Sequence, residues 1–176
     1  MRLRTIVPAL ALGLAIAACS RQRPSVEAPV QSVRAELTDV SGRRVGDVTL
    51  QQLTRGILIS ADLSSIPSGT HAMHVHTTGR CTPNFDAAGG HFNPAGARHG
   101  FRDPAGPHAG DLPNIHVSAN GTLRVEVFAD GLRLTGDGGL LDQDGAAVVI
   151  HQFADDYATD PSGAAGDRIA CGVIQR

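Results

Sequence analysis

The 176-residue sequence contains no lysine and no tryptophan, and one tyrosine and five phenylalanines are its only aromatic residues. All 15 basic residues are therefore arginines, and with 17 acidic residues the formal net charge is −2. This slightly acidic balance argues against nucleic acid as a partner. The 21 glycines and 10 prolines favour many short strands joined by tight turns over a helical bundle. The length fits one domain, and no internal repeat or low-complexity segment interrupts it.

The apolar run at residues 5–18 is too short to span a bilayer as a helix. It follows two arginines, Arg2 and Arg4, and precedes a polar segment at residues 20–24. This order of positive, apolar and polar segments is typical of a secretory signal peptide. We therefore predict that residues 1–18 are a signal peptide and that the protein is exported.

The end of the apolar run indicates a lipoprotein. Residues 16–19 read Ile-Ala-Ala-Cys and resemble a bacterial lipobox, in which the cysteine is lipidated and becomes the mature N-terminus. A plain secretory signal with an incidental Cys19 is the alternative. Cys81 and Cys171 can pair in an oxidising compartment, so lipidation would account for the odd third cysteine. We predict a lipidated N-terminus and polar tether at residues 19–29, which anchor the protein to a membrane at the periplasmic face of the envelope.

From residue 30 onward apolar and polar residues alternate, as they do in strands with one buried face. We predict an all-β domain at residues 30–176, with about eight antiparallel strands in a barrel or sandwich. The predicted strands lie near residues 33–38, 45–53, 57–63, 71–76, 115–117, 123–127, 146–150 and 169–174, with 132–134 as a weaker candidate.

Two long stretches, residues 77–114 and 152–167, show neither the strand period nor the helix period. Structureless loops of the first length are uncommon in compact domains unless they are functional. The first stretch holds three histidines and Asp111, so bound metal would supply the order that a core cannot. We predict two long functional loops on one β scaffold.

Six of the eight histidines lie where two adjoining metal sites would need them. His74 and His76 are two positions apart on a predicted strand, so both side chains project to one face. A set of three histidines and one aspartate suits closed, tetrahedral zinc and leaves no position for a catalytic water. Four imidazoles suit Cu(II), which cycles by one electron. The predicted copper ligands are His74, His76, His91 and His151; the predicted zinc ligands are His91, which is shared, His99, His108 and Asp111.

Six motifs occur in order along the chain: GTHAMHVH, GHFNP, HG, HAGDLP, IH and GDRIACGVI. Together they resemble the motifs of copper–zinc superoxide dismutases, particularly the exported bacterial type. The resemblance covers essentially all of residues 30–176 and implies an eight-stranded Greek-key barrel. It also implies one copper and one zinc per subunit, superoxide as the substrate, and dismutation to dioxygen and hydrogen peroxide. A monomer and a homodimer both stay open.

The resemblance also implies roles for residues outside the two ligand sets. Arg168 resembles the active-site arginine that attracts the anionic substrate, and His91 is expected to take up and return a proton. Cys81 and Cys171 resemble the intrasubunit disulfide that anchors the long loop to the last strand. Asp155 resembles the carboxylate that accepts hydrogen bonds from one copper-ligand and one zinc-ligand histidine, here His74 and His99.

Two rival functions use the same residues differently. A copper- and zinc-binding lipoprotein for metal storage or delivery would keep the ligands but would have no need of an anion guide such as Arg168. An adhesion or interaction module on this scaffold would show eroded ligands, and none are eroded. His71 and His116 fit neither ligand set, and we predict structural or exposed positions for them. We therefore favour an exported superoxide dismutase that protects the cell envelope from extracytoplasmic superoxide.

Overall fold

A computed structural model describes residues 31–175 of the chain. The predictions for the signal peptide, for Cys19 and for the whole tether fall outside these residues. Within the described part, no helix has the length and apolar character needed to cross a membrane.

The described chain is built of nine antiparallel strand segments and one short 3₁₀ helix, Phe85–Ala88, so the all-β prediction is confirmed. The strands are β1 (Ser32–Asp39), β2 (Arg44–Leu53), β3 (Gly56–Leu63), β4 (Gly69–His71), β5 (Met73–His76), β6 (Ile115–Val117), β7 (Leu123–Ala129), β8 (Ala147–His151) and β9 (Arg168–Gln175). Seven of them form one curled sheet in the order β5-β8-β9-β1-β2-β3-β7, and β4 pairs with β6 in a second, two-stranded sheet.

Two strand predictions need correction. The single strand predicted at residues 71–76 is two segments, because β4 pairs with β6 whereas β5 pairs with β8. The weaker candidate at residues 132–134 is not a strand. Leu132 and Leu134 are buried as the alternation indicated. However, the backbone N–H of Leu134 donates to the side chain of Gln52 rather than to a neighbouring strand.

The core lies on the concave face of the sheet, where alternate residues of β1, β2 and β3 are buried. Val33, Ala35 and Leu37 of β1 belong to this core, whereas residues between them face solvent. The outer face carries ion pairs such as Arg34 with Asp47. Exposed pairs of this kind contribute little to stability, so burial of the inner face dominates.

Strand β8 is buried along its whole length, which explains its continuous apolar sequence. Val148 and Ile150 face the main core, whereas Ala147 and Val149 pack with Ala88 and Cys171 in a second, smaller cluster. The long loop therefore folds back over the outer face of β8. Because β8 pairs with β5, His151 at the end of β8 lies near His74 and His76.

A disulfide between Cys81 and Cys171 ties the long loop to β9, with a Cα–Cα distance of 5.9 Å across 90 residues of sequence. In the chain-entropy model a closed loop of that length stabilises the fold by about 4–5 kcal/mol. The disulfide also keeps the 3₁₀ helix Phe85–Ala88 close to β9.

Candidate metal centre

Four histidines from three parts of the chain converge at one end of the sheet. His74 and His76 come from β5, His151 ends β8, and His91 lies in the long loop, where its backbone forms a bridge with His76. One ring nitrogen from each lies within 4.8 Å of the others, and all four residues are buried. We refer to His74, His76, His91 and His151 as the four-histidine group.

Each ring of the four-histidine group has one nitrogen engaged outside the group. The Nδ1–H of His76 donates to the carbonyl of Gly89 at 2.9 Å, and that of His151 donates to the carbonyl of Gly166 at 3.3 Å. The Nε2–H of His74 donates to Asp155 at 2.8 Å. The remaining nitrogens therefore all point into the space between the four rings.

Those inward nitrogens are acceptors that lack donors. Within residues 31–175, Nδ1 of His74 and Nε2 of His91 have no hydrogen-bond partner, and Nε2 of His76 and of His151 face each other at 3.4 Å. Burial lowers the pKa of His76 to about 2, of His151 to about 3 and of His91 to about 4, so these rings are neutral near pH 7. Unpartnered buried acceptors are costly. Because a bound cation would satisfy all four, the residues fit a metal ion, and four nitrogens suit copper.

A second set of donors adjoins the first through His91. Oδ1 of Asp111 lies 2.8 Å from Nδ1 of His91, 3.1 Å from Nδ1 of His99 and 3.3 Å from Nδ1 of His108. Nδ1 of His108 is also 3.4 Å from Nδ1 of His91. Zinc ligands at about 2.0–2.1 Å in a tetrahedron stand roughly 3.3 Å apart, so these spacings suit zinc. We refer to His91, His99, His108 and Asp111 as the zinc-type group.

Asp111 also organises the loop around it. Its second oxygen, Oδ2, accepts backbone N–H groups of Gly100 at 2.9 Å and of His108 at 3.0 Å. Burial alone would raise the pKa of Asp111, but hydrogen bonds from His91 and Gly100 hold it well below the usual range. The carboxylate is therefore charged at neutral pH, as a zinc ligand must be.

Asp155 connects the two groups. Its Oδ2 accepts the Nε2–H of His74 at 2.8 Å, and its Oδ1 accepts the Nε2–H of His99 at 3.0 Å. Burial opposes ionisation, but the hydrogen bonds from the two histidines lower the pKa of Asp155 to about 2. One anionic side chain therefore orients one ring of each group.

Arg168, at the start of β9, lies beside the four-histidine group and is held by backbone carbonyls. It donates to Phe85 O at 2.6 Å and to Gly89 O at 2.7 Å. Burial lowers the pKa of Arg168 and the carboxylate of Asp86, at 3.9 Å, opposes this shift. Arg168 lines an open cavity of about 420 Å³ together with His76, His91, His151 and Ser162. A small anion that enters this cavity therefore meets a guanidinium beside the histidines.

The structure brings together every residue of the two predicted ligand sets, with Asp155 and Arg168 beside them. His116 is exposed and contacts Thr70, whereas His71 is buried with its ring nitrogens 2.9 Å from the carbonyl oxygens of His151 and Pro67. Both positions agree with the structural or exposed placement predicted for them.

Several groups that hold the site were not anticipated from the sequence. The carbonyls of Phe85 and Gly89 fix Arg168, and the carboxylate of Asp160 accepts the N–H of His99 at 2.8 Å. Asn114 and Tyr157 contact Asp155 directly. No sequence motif marks the carbonyls, since every residue carries one; only the rarity of tyrosine in this chain could have singled out Tyr157.

Comparison with known proteins gives one family. Residues 44–174 match the family model described as "Copper/zinc superoxide dismutase (SODC)". The chain is 42% identical to superoxide dismutase [Cu-Zn] 1 of Aquifex aeolicus over 145 residues, which cover 80% of this chain and 86% of that protein. It is 38% identical to superoxide dismutase [Cu-Zn] of Deinococcus radiodurans over 187 residues, which cover 99% of this chain and 97% of that one. The crystal structure of a SOD-like protein from Bacillus subtilis superposes with a TM-score of 0.77 at 39% identity, covering 81% of this chain and 97% of that chain.

Proposed function

Since the chain belongs to the copper/zinc superoxide dismutase family, whose members are oxidoreductases that use copper and zinc, we propose how its own residues dismutate superoxide. The four-histidine group would hold copper, and the zinc-type group would hold zinc, with His91 shared between them. The observation that carries this proposal is the convergence of buried, unpartnered ring nitrogens at one point and of charged Asp111 with three imidazoles at the other.

Bound copper would supply one-electron redox chemistry, so that one superoxide leaves as dioxygen and a second, with two protons, leaves as hydrogen peroxide. Arg168 would attract and orient the anion. Two of its N–H groups are donated to Phe85 O and Gly89 O, which fixes the guanidinium plane and leaves its other N–H groups for substrate. The shared acceptor Gly89 O also holds His76, so the anion guide and one copper ligand are positioned by the same carbonyl.

His91 would hold a proton at Nε2 in one half of the cycle and release it to the peroxide product in the other. One feature supports this role. Nε2 of His91 is buried and has no hydrogen-bond partner among residues 31–175, so no protein group competes for a proton held there. Nδ1 of His91, which faces Asp111 at 2.8 Å, stays with the zinc-type group and keeps the ring oriented.

The ligand assignment is tested by His151→Ala, with His116→Ala as the matched control. His151→Ala should lose copper and superoxide consumption and should keep zinc and a folded domain. His116→Ala changes an exposed histidine outside both groups, so it should keep both metals and wild-type activity. The measurement is superoxide consumption by the metallated domain, with copper and zinc counted in the same samples. Stoichiometric copper and near-normal turnover in His151→Ala would refute the assignment.

The storage or delivery alternative predicts a different result for the wild-type protein. A storage protein would bind both metals without consuming superoxide faster than free copper does. The placement of Arg168 in the cavity beside the four-histidine group favours the enzyme, because storage of a cation gains nothing from a neighbouring guanidinium.

We further propose an exported, lipid-anchored protein that removes extracytoplasmic superoxide. The Cys81–Cys171 disulfide supports an oxidising compartment, and the pattern at residues 1–29 supports a signal peptide, a lipidated Cys19 and a tether. Cys19→Ser should abolish incorporation of labelled fatty acid and release the protein from the membrane fraction, whereas membrane retention without label would contradict lipidation.

Light scattering of the purified domain would distinguish a monomer from a homodimer.

A further inference from the structure

Tyr157 has an unusual backbone conformation. Its φ is +62°, in the left-handed region that residues other than glycine rarely adopt. Such a conformation persists only when the surrounding contacts require it. Tyr157 is also the single tyrosine of the chain, and it lies in the second loop, two residues after Asp155.

Three hydrogen bonds hold Tyr157 between the two functional loops. Its backbone N–H donates to Oδ1 of Asp155 at 2.6 Å, and its phenol oxygen accepts the backbone N–H of Asn114 at 2.7 Å. Its carbonyl accepts the N–H of Arg102 at 2.9 Å. The ring packs against Phe101, with a centroid distance of 5.4 Å. Tyr157 therefore contacts the first loop at two separate places.

The side chain of Asn114 binds the backbone of Asp155. Its amide donates to the carbonyl of Asp155 at 2.9 Å and accepts the N–H of Asp155 at 2.8 Å. Together with the Tyr157 contacts, these bonds fix both the backbone and the carboxylate of Asp155. We call Asn114, Asp155 and Tyr157 the clasp.

The clasp adjoins the zinc-type group through two routes. Asp155 binds Nε2 of His99, so a shift of the clasp would turn that ring. The carbonyl of Tyr157 lies so close to Gly100 that a Cβ there would be 2.2 Å from it, and the N–H of Gly100 binds Asp111. Displacement of Tyr157 would therefore disturb two members of the zinc-type group at once.

We propose that Tyr157 is a positioning residue for the metal centre, and that its phenol oxygen determines how firmly zinc is retained. The inference rests on the proposed zinc ligands and adds to them a residue that touches no metal. The phenol oxygen anchors Asn114, Asn114 holds Asp155, and Asp155 orients His99. Loss of the hydroxyl would loosen this series of hydrogen bonds while leaving the ring, its packing on Phe101 and the core unchanged.

The test is the rate at which zinc passes from the loaded protein to a chromogenic chelator. Tyr157→Phe should release zinc about 3–10-fold faster than wild type. Loss of a direct partner of a metal ligand weakens metal binding by about 10–100-fold, and the phenol acts on His99 only through Asn114 and Asp155. Phe101→Leu is the matched control: it alters the ring contact but none of the clasp hydrogen bonds, so it should release zinc at the wild-type rate. Tyr157→Phe should lower the melting temperature of the zinc-loaded protein by more than it lowers that of the metal-free protein, each compared with wild type in the same metal state.

A second variant reaches the clasp from its other side. Asn114→Ala should also accelerate zinc release. In the double variant with Tyr157→Phe, the release rate should rise by less than the product of the two single increases, because both substitutions act through Asp155. A wild-type release rate in Tyr157→Phe would overturn the proposal whatever Asn114→Ala does, as would equal losses of melting temperature with and without zinc. A wild-type protein that takes up no zinc would refute the zinc assignment itself, which zinc counting reveals before any variant is compared.

Discussion

Substitution of Asp111 can separate two tasks that one carboxylate performs. Oδ1 faces the imidazole nitrogens of the zinc-type group, whereas Oδ2 accepts the buried backbone N–H groups of Gly100 and His108. Asp111→Ala removes both functions. Asp111→Asn can direct its carbonyl oxygen to the N–H groups, which keeps the loop paired but places a neutral amide where zinc needs an anionic ligand.

The expected magnitudes follow from these contacts. A hydrogen bond to a charged group is worth about 1.5–3 kcal/mol, so loss of two of them should lower the free energy of unfolding of metal-free Asp111→Ala by about 3 kcal/mol or more. For a domain of this size that corresponds to a fall of roughly 6–12 °C in melting temperature. Asp111→Asn should lose less than about 1 kcal/mol, because the two N–H groups keep an acceptor.

The assay compares calorimetric melting of the wild type, Asp111→Asn and Asp111→Ala, each with and without zinc. Zinc should raise the melting temperature of the wild type, because a ligand that binds only the folded state stabilises it by mass action. Neither variant should show this rise at the same zinc concentration, and superoxide consumption should fall less in either than in His151→Ala. The reasoning fails if metal-free Asp111→Ala melts within about 2 °C of the wild type, or if Asp111→Asn binds zinc as tightly as the wild type does.

Three further outcomes are expected. Arg168→Ala should lower the second-order rate constant of superoxide consumption while both metals are retained, and Arg168→Lys should recover part of that rate. Added salt should slow the wild type more than the Ala variant, which stopped-flow assays can test. Asp86→Asn should consume superoxide faster than the wild type at low salt, because the exposed Asp86 carboxylate, 3.9 Å from Arg168, repels the anion and offsets the arginine charge. An unchanged or lower rate would contradict this. The metal-free protein should be most stable above about pH 6.5 and should weaken on acidification by about 1.4 kcal/mol per pH unit for each buried histidine with a lowered pKa, since the unfolded chain takes up those protons first. These histidines are His76, His91 and His151. Denaturant titration from pH 7 to pH 5 checks the prediction, and a free energy of unfolding that does not change with pH would contradict it.

The convergence of the candidate metal ligands could be predicted from the sequence, because each has a side chain of distinctive chemistry at a distinctive spacing. His74 and His76 project to one face of a strand by the period of the pleat, and a histidine at the end of an apolar run marks the end of a buried strand. The structure brings all seven predicted ligands together, and His91 contributes to both groups. Imidazole and carboxylate chemistry therefore indicated the centre before any coordinates did.

The strand boundaries were harder to predict, because alternation reports burial and not backbone pairing. The segment at residues 71–76 is buried throughout and looks like one strand, yet its two halves pair with different strands on either side of Ala72. Leu132 and Leu134 are buried on either side of an exposed residue, as in a strand, but they lie outside any strand. Which strand a segment pairs with depends on the path of distant parts of the chain, and local sequence does not encode that path.

The groups that position the site were hidden for a different reason. Arg168 is held by the carbonyls of Phe85 and Gly89, and the backbone N–H of Tyr157 holds Asp155. Every residue except proline carries both of these groups, so no pattern of side chains distinguishes the few that serve the site. They become functional only because the Cys81–Cys171 disulfide and the two loops bring them to the histidines. Substitutions that leave every ligand intact but move this backbone should therefore change metal retention and anion guidance, which is why the predicted effect of Tyr157→Phe is on zinc release rather than on the ligand set.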